Sequence, residues 1–223
     1  MKKAIIFDLD GTLWDSSASV CESWNIVFSR YPEITRRLTP ADVQGFMGKT
    51  LDQIFPIALP DTPDELRRKA LNECVHYELE YIAEHGGRLY PKLRETLVEL
   101  RRSYALIIVS NCQDGYIEAF FQAHGQDGYI QDFLDFADMR GLFDDFESAG
   151  GTGLSKGENI KLVIERNSID KAVYVGDTQG DLDSADFAGI PFIRAAYGFG
   201  QMNRPVPEIR EFCELPEKAA EII

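Results

Sequence analysis

Three apolar runs punctuate the chain: Ala4-Ile5-Ile6-Phe7, Ala105-Leu106-Ile107-Ile108-Val109 and Ala172-Val173-Tyr174-Val175. Each is short, dense in branched or aromatic residues and bounded by polar positions, which predicts buried strands. Between Leu13 and about Arg88 such runs vanish and the spacing becomes helical. Val20, Trp24, Val27 and Phe28 follow a Ser16 or Ser17 able to cap a helix. Pro63 opens a longer helical segment on which Leu66, Ala70, Cys74, Tyr77 and Tyr81 recur every three or four positions, and Gly86-Gly87 ends it. From Tyr90-Pro91 onward helices and strands alternate, with Leu93, Leu97 and Leu100 on one of the helices. Alternation of this kind predicts an α/β fold with parallel pairing and right-handed crossovers. Ligands in such open sheets sit beyond the carboxyl ends of the strands.

Polar residues gather at those ends. The first strand runs into Asp8-Leu9-Asp10-Gly11-Thr12, two carboxylates placed where the backbone stops pairing and begins to turn. Burying like charges together is costly unless a cation or a proton offsets them, so this strand end is a candidate metal site. The second strand delivers Ser110-Asn111. Lys156 follows a glycine-rich stretch, Gly150-Gly151-Thr152-Gly153, and precedes a helical pattern carrying Ile160, Val163 and Ile164. The third strand leads into Gly176-Asp177-Thr178-Gln179-Gly180-Asp181.

In order, spacing and context these segments resemble the four motifs of the haloacid-dehalogenase-like (HAD) phosphohydrolases. The resemblance covers nearly the whole chain and implies a Rossmann-like parallel sheet core with an inserted all-helical cap domain. Residues 1–14 and 89–223 would form the core and residues 15–88 the cap, as in the phosphoglycolate-phosphatase-like and β-phosphoglucomutase-like branches. It implies Mg²⁺-dependent hydrolysis of small phosphorylated metabolites through an aspartyl-phosphate. Asp8 would be the nucleophile, and Asp10 the acid that protonates the leaving group and then the base that activates water. Thr12, Ser110 and the Asn111 backbone would donate to the phosphate, and Lys156 would supply a fixed cation. Asp8, the Asp10 backbone carbonyl and Asp177 would hold Mg²⁺, a cation that prefers oxygen ligands. Asp181, one helical turn from Asp177, would orient a water or Lys156, or serve as an acid at a helix N-terminus. Lys49, in a cap loop, is a candidate substrate contact or a surface lysine.

Composition narrows the partners. The 223 residues include 44% hydrophobic and 27% charged residues, ordinary for a globular protein, and the formal net charge is -14. That acidity argues against nucleic acid and anionic membranes. Cys21, Cys74, Cys112 and Cys213 are scattered without a C-x-x-C pair, which predicts reduced, mostly buried thiols in a cytoplasmic protein. The four-residue apolar run before Asp8 is too short for a signal peptide, and no stretch approaches a membrane span.

Two lookalikes fall away. Gly48-Lys49-Thr50 resembles the end of a Walker A loop, but Val43 stands where that motif needs glycine. Gly151-Thr152-Gly153 has Lys156 where a dinucleotide loop needs its third glycine, and no convincing strand precedes it. His76, His85 and His124 are isolated and read as structural or exposed. The Gly125–Gly150 stretch, with Phe133, Phe136, Phe143 and Phe146 among many acids, has no functional account. Alternatives to the hydrolase are a phosphosugar mutase with the same nucleophile, a phosphonate hydrolase using Lys49 as an imine-forming amine, and a catalytically silent binding protein of the same fold. Asp10 argues against a dehalogenase, and the presence of all the motif residues argues against the silent protein.

Overall fold

The computed structural model describes residues 1–125 and 139–223. Strand β1 (Lys3–Phe7) is followed by β2 (Trp14–Asp15), then by helices α1 (Ser17–Ser29), α2 (Pro40–Gln44), α3 (Leu51–Ala58) and α4 (Asp64–His85). After β3 (Arg88–Leu89) come α5 (Leu93–Leu100), β4 (Ala105–Ser110), α6 (Tyr116–His124), β5 (Asp145–Ser148), α7 (Ala149–Thr152), α8 (Lys156–Arg166), β6 (Lys171–Gly176), α9 (Gln179–Ala188), β7 (Phe192–Ala195), β8 (Glu208–Ile209) and α10 (Leu215–Ile222).

Among the described residues, six of the strands form one sheet in the order β5-β4-β1-β6-β7-β8, every pair parallel. Central strand β1 is apolar at consecutive positions because each face has its own cover. Ile5 and Phe7 join the cluster under α5, α6 and α10, with Leu93, Phe120, Phe212 and Leu215. Ala4 and Ile6 face the other way, onto Ile160 and Val163 of α8 and Leu182 and Ala185 of α9. The connection from β1 to β4 passes over one face and that from β5 to β6 over the other. The chain therefore changes direction across the sheet at β1, where a crevice opens beyond the strand ends.

The expected helical segment is present between β2 and β3, which pair antiparallel with Trp14 opposite Leu89 and Asp15 opposite Arg88. Its helices are not a detached lid: Trp24, Phe28 and Phe55 belong to the same apolar cluster as Phe7 and Phe120. The buried stripe of α4 differs from the expectation. It is Ala70, Cys74, Glu78 and Ile82, at steps of four, while Tyr77 and Tyr81 are half-buried. A straight run of i+4 positions drifts slowly around a helix, so an acid that breaks the apolar pattern can still lie on the packed face.

Two further expectations are corrected. The glycine-rich stretch does follow a strand, β5, whose sequence Asp-Phe-Glu-Ser hid it because only Ser148 is buried. Of the four free thiols, Cys21 and Cys74 are buried, whereas Cys112 and Cys213 are half-buried. Phe133 and Phe136 lie outside the described residues. Phe143 is core, its ring 6.2 Å edge-on from Phe7, and Phe146 belongs to β5. No helix among the described residues is long and apolar enough to cross a membrane.

Candidate active site

Asp8 leaves β1 with its backbone N–H donating 2.8 Å to the Val175 carbonyl, which fixes it between the ends of β1 and β6. The chain then turns through Gly11 at φ +80°, where a Cβ would lie 2.4 Å from Asp177 Oδ2. Only glycine supplies both the left-handed backbone and the missing atoms. The turn is how Asp8 and Asp177 come together: Asp8, Asp177 and Asp181 each offer an oxygen within 4.8 Å of one another, and all three are buried.

Lys156 neutralises part of this cluster. It opens α8, whose first turn is set by the Ser155–Glu158 capping box, and its Nζ lies 3.0 Å from Asp8 Oδ1 and 2.6 Å from Asp181 Oδ1. The contact with Asp8 is an ion pair without hydrogen-bond alignment; that with Asp181 is a true hydrogen bond. Burial alone would disfavour the ammonium, but Asp181 and Asp8 outweigh it and hold Lys156 charged. Three carboxylates against one ammonium leave an excess of two negative charges. Burial and the Asp181 charge push the Asp8 carboxyl up to about 7 despite Lys156, and burial with the neighbouring acids Asp181 and Asp8 also holds Asp177 well above the usual carboxylate range.

The three acids are not equivalent. Asp181 accepts from Lys156 on Oδ1 and from Asp177 N, Thr178 N and Thr178 Oγ1 on Oδ2, so its lone pairs are filled. It is at once the capping-box acid of α9 and the counter-ion of Lys156, and the two sequence readings of this residue hold together. Asp177 accepts from Phe199 N at 2.7 Å on Oδ2, while its buried Oδ1 has no partner among the described residues. An orphaned buried carboxylate oxygen beside a net negative cluster is what a divalent oxygen-seeking cation satisfies. Asp8 and Asp177 thus fit a metal, and Asp181 fits as the residue that positions their surroundings.

Asp10 sits apart from this cluster and is gripped from the helical side. Its Oδ1 accepts from Ser16 Oγ and from Tyr116 OH at 3.2 Å. Ser16 is the N-cap position of α1 but spends its hydroxyl on Asp10 rather than on the helix. Burial raises the Asp10 carboxyl, and the two donors hold it back. Asp8, Asp10, Ser110, Asn111 and Lys156 line one cleft, open to solvent at its mouth, between the carboxyl ends of the strands and α1–α4. Thr12 is fully buried beside it, its hydroxyl without a partner among the described residues. Lys49 reaches the cleft but is exposed and turned back to the Gly45 carbonyl at 3.1 Å. The Asn111 side chain donates 2.9 Å to the Gly48 carbonyl, clasping this loop to the sheet.

One residue escaped the sequence reading. Glu78 is only 5% exposed yet lines the cleft, with Oε2 accepting from Trp24 Nε1 at 3.0 Å and Gln113 Nε2 at 3.3 Å. Its only signal was an acid at the i+4 step between Cys74 and Ile82. Burial pushes its carboxyl from 4.5 up to about 8; Trp24 opposes the rise and the Asp10 charge adds to it. An acid raised on folding contributes its stability below the unfolded value and loses it as pH climbs through the folded one. Glu78 thus costs stability progressively between about pH 4.5 and 8, by up to about 5 kcal/mol. Glu78→Gln should therefore stabilise the protein more at pH 8.5 than at pH 5, as read by thermal denaturation. An offset independent of pH would show that the carboxyl ionises freely.

A family model for haloacid dehalogenase-like hydrolases matches residues 5–195, and the chain belongs to that family. Among its relatives, a phosphoglycolate phosphatase of Vibrio vulnificus (strain CMCP6) is 28% identical over 207 residues, covering 88% of this chain and 85% of the relative. The fold is that of a haloacid dehalogenase-like family hydrolase from Streptococcus pneumoniae, with TM-score 0.75, 23% identity and 97% of each chain covered. It is equally close to CbbY from Rhodobacter sphaeroides, solved with xylulose-(1,5)bisphosphate, with TM-score 0.74, 18% identity and 96% of each chain covered.

Proposed function

We propose that the enzyme is a Mg²⁺-dependent phosphatase that hydrolyses small phosphomonoesters through an aspartyl-phosphate on Asp8. The observation that carries this reading is the buried, net-negative Asp8–Asp177–Asp181 cluster, held by one lysine and reaching a cleft through Asp8 and Lys156. Asp8, Asp177 and the Asp10 backbone carbonyl hold the metal, which when bound offsets charge on the phosphate oxygens. Asp8 attacks phosphorus in line, and the bond to the leaving oxygen breaks with its electron pair on that oxygen. Asp10 delivers the proton it holds to that oxygen. It later takes one from the water that attacks phosphorus, as the bond from phosphorus to Asp8 breaks and frees the carboxylate and inorganic phosphate. A raised, donor-braced carboxyl suits a group that must be protonated in one half-reaction and ionised in the next. Thr12, Ser110 and the Asn111 backbone donate to the phosphate, and Asp181 keeps Lys156 aimed at it.

Residues 1–14 and 89–223 act as the catalytic core and residues 15–88 as the cap that closes the cleft. A small phosphorylated metabolite suits a cleft that the helices of residues 15–88 roof over, and four free thiols suit a cytoplasmic setting. The test is phosphate release from a panel of small phosphomonoesters, with acid-quench recovery of labelled Asp8. EDTA should reduce turnover to a few per cent or less, Mg²⁺ should restore it, and Ca²⁺ should inhibit by taking more oxygens around Asp8. Mg²⁺ should also raise the melting temperature of wild type and not of Asp177→Asn. Full turnover without metal would overturn the metal site, and the absence of label would overturn the covalent step. Label handed back to substrate rather than to water would identify a mutase.

A further inference from the structure

The part of the cleft away from phosphorus receives the leaving group, and its chemistry is legible. Val20, Trp24, Phe46, Leu51 and Ile54 make an apolar belt, and Glu78 with Gln113 is the polar pair set into it. Both protein hydrogen bonds to Glu78 end on Oε2, which leaves Oε1 as the oxygen available to a ligand. Gln113 spends both donations, 3.0 Å to the Val75 carbonyl and 3.3 Å to Glu78, and its buried Oε1 has no partner among the described residues. Glu78 Oε1 is thus the polar atom of the belt that a ligand can reach, with Gln113 holding the carboxyl in place through Oε2. It asks for a hydrogen-bonding group on the ligand because a buried polar atom left unpaired is costly.

The cations point the same way. Lys156 is committed to Asp8 and Asp181, and Lys49, the cap-side cation of the cleft, is exposed and turned to Gly45. A second anionic group on the substrate would enter an apolar belt beside Glu78 and Asp10 without a buried positive partner. Burying an unpaired carboxylate is far more costly than burying a hydroxyl that finds an acceptor.

We propose that Glu78 and Gln113 select phosphomonoesters whose leaving group presents a hydrogen-bond donor, a hydroxyl or an ammonium, and reject those ending in a carboxylate. This rests on the phosphatase reading and narrows it, since the relatives' named substrate, phosphoglycolate, is of the rejected kind. Glu78 is a specificity residue here and touches no reacting atom.

The test compares kcat/KM of wild type with Mg²⁺ on glycerol 3-phosphate and phosphoethanolamine, on 2-phosphoglycolate and 3-phosphoglycerate, and on p-nitrophenyl phosphate as a reference without either feature. The donor-bearing pair should exceed the carboxylate pair by at least about tenfold, the discrimination a well-built polar contact supplies. Glu78→Gln and, independently, Gln113→Met should lower that preference at least about fivefold relative to p-nitrophenyl phosphate, mainly through KM. Melting curves check that both variants are folded, and Gln113→Met carries the test if Glu78→Gln is not. A wild type that prefers 2-phosphoglycolate, or variants that slow all substrates equally, would overturn the inference while leaving the phosphatase reading intact. No Mg²⁺-dependent release from any compound, p-nitrophenyl phosphate included, would overturn both.

Discussion

Asp8→Asn is expected to lower kcat/KM at least about 10⁴-fold, some 5 kcal/mol of barrier, while the protein stays folded. The substitution keeps the shape of the side chain and removes the carboxylate proposed as nucleophile and as one metal ligand. It also removes one of three crowded carboxylates, whose ionisation the surroundings already resist. In metal-free buffer at pH 8 its melting temperature should therefore equal or exceed that of wild type. The measurement pairs steady-state kinetics with thermal denaturation. Residual activity within about tenfold of wild type would remove Asp8 from its role, and a collapse in stability would show that its charge is structural.

Lys156→Met should behave in the opposite way. Asp8 and Asp181 would lose their shared cation in a site where Lys156 is only 3% exposed. Breaking a buried pair from one side leaves uncompensated charge and costs about 3–5 kcal/mol, roughly 10 °C in melting temperature for a chain of this size. Turnover should fall at least about 10³-fold as the phosphate loses its fixed cation. Adding Asp181→Asn should recover much of the stability and none of the activity, because the amide oxygen still accepts from the 177–178 backbone. If the double variant is no more stable than the single one, the ion pair is not the source of the loss.

These contrasts show which parts of the site were legible in the sequence. Asp8, Ser110 and Asp177 stand directly after apolar runs, so strand prediction alone carries them to the carboxyl end of the sheet. Lys156 was readable from its place at the start of a helical pattern. Its partner Asp181 was readable as an N-terminal acid, but the saturation of its lone pairs was not. The grip of Ser16 and Tyr116 on Asp10 joins positions 6 and 106 residues away and leaves no local signal. Glu78 was missed because a glutamate within a helix reads as solvent-facing, and only the packing of α1 and α6 around α4 makes it interior. Strand β5 was hidden by acids that Arg166 pairs from outside the sheet, with Nε 2.7 Å from Asp145 and Nη1 2.7 Å from Glu147.

The ribbon of β2 and β3 has a consequence for engineering. The chain leaves the sheet for its helices at Asp15 and returns at Arg88, residues that face each other across one strand spacing and are joined by an ion pair of 3.3 Å. Both splice points for exchanging the helical insertion thus lie side by side, outside the six-stranded sheet. A transplanted cassette would inherit the acid cluster unchanged and bring its own belt for the leaving group. What it must reproduce is the face of α4 that roofs α6, including an acceptor like the Val75 carbonyl for Gln113, since without it the recipient would expose part of its own core. Exchanging the insertion therefore means matching the α4–α6 seam, the grip of Ser16 on Asp10 and the clasp of Asn111 on the Gly48 loop.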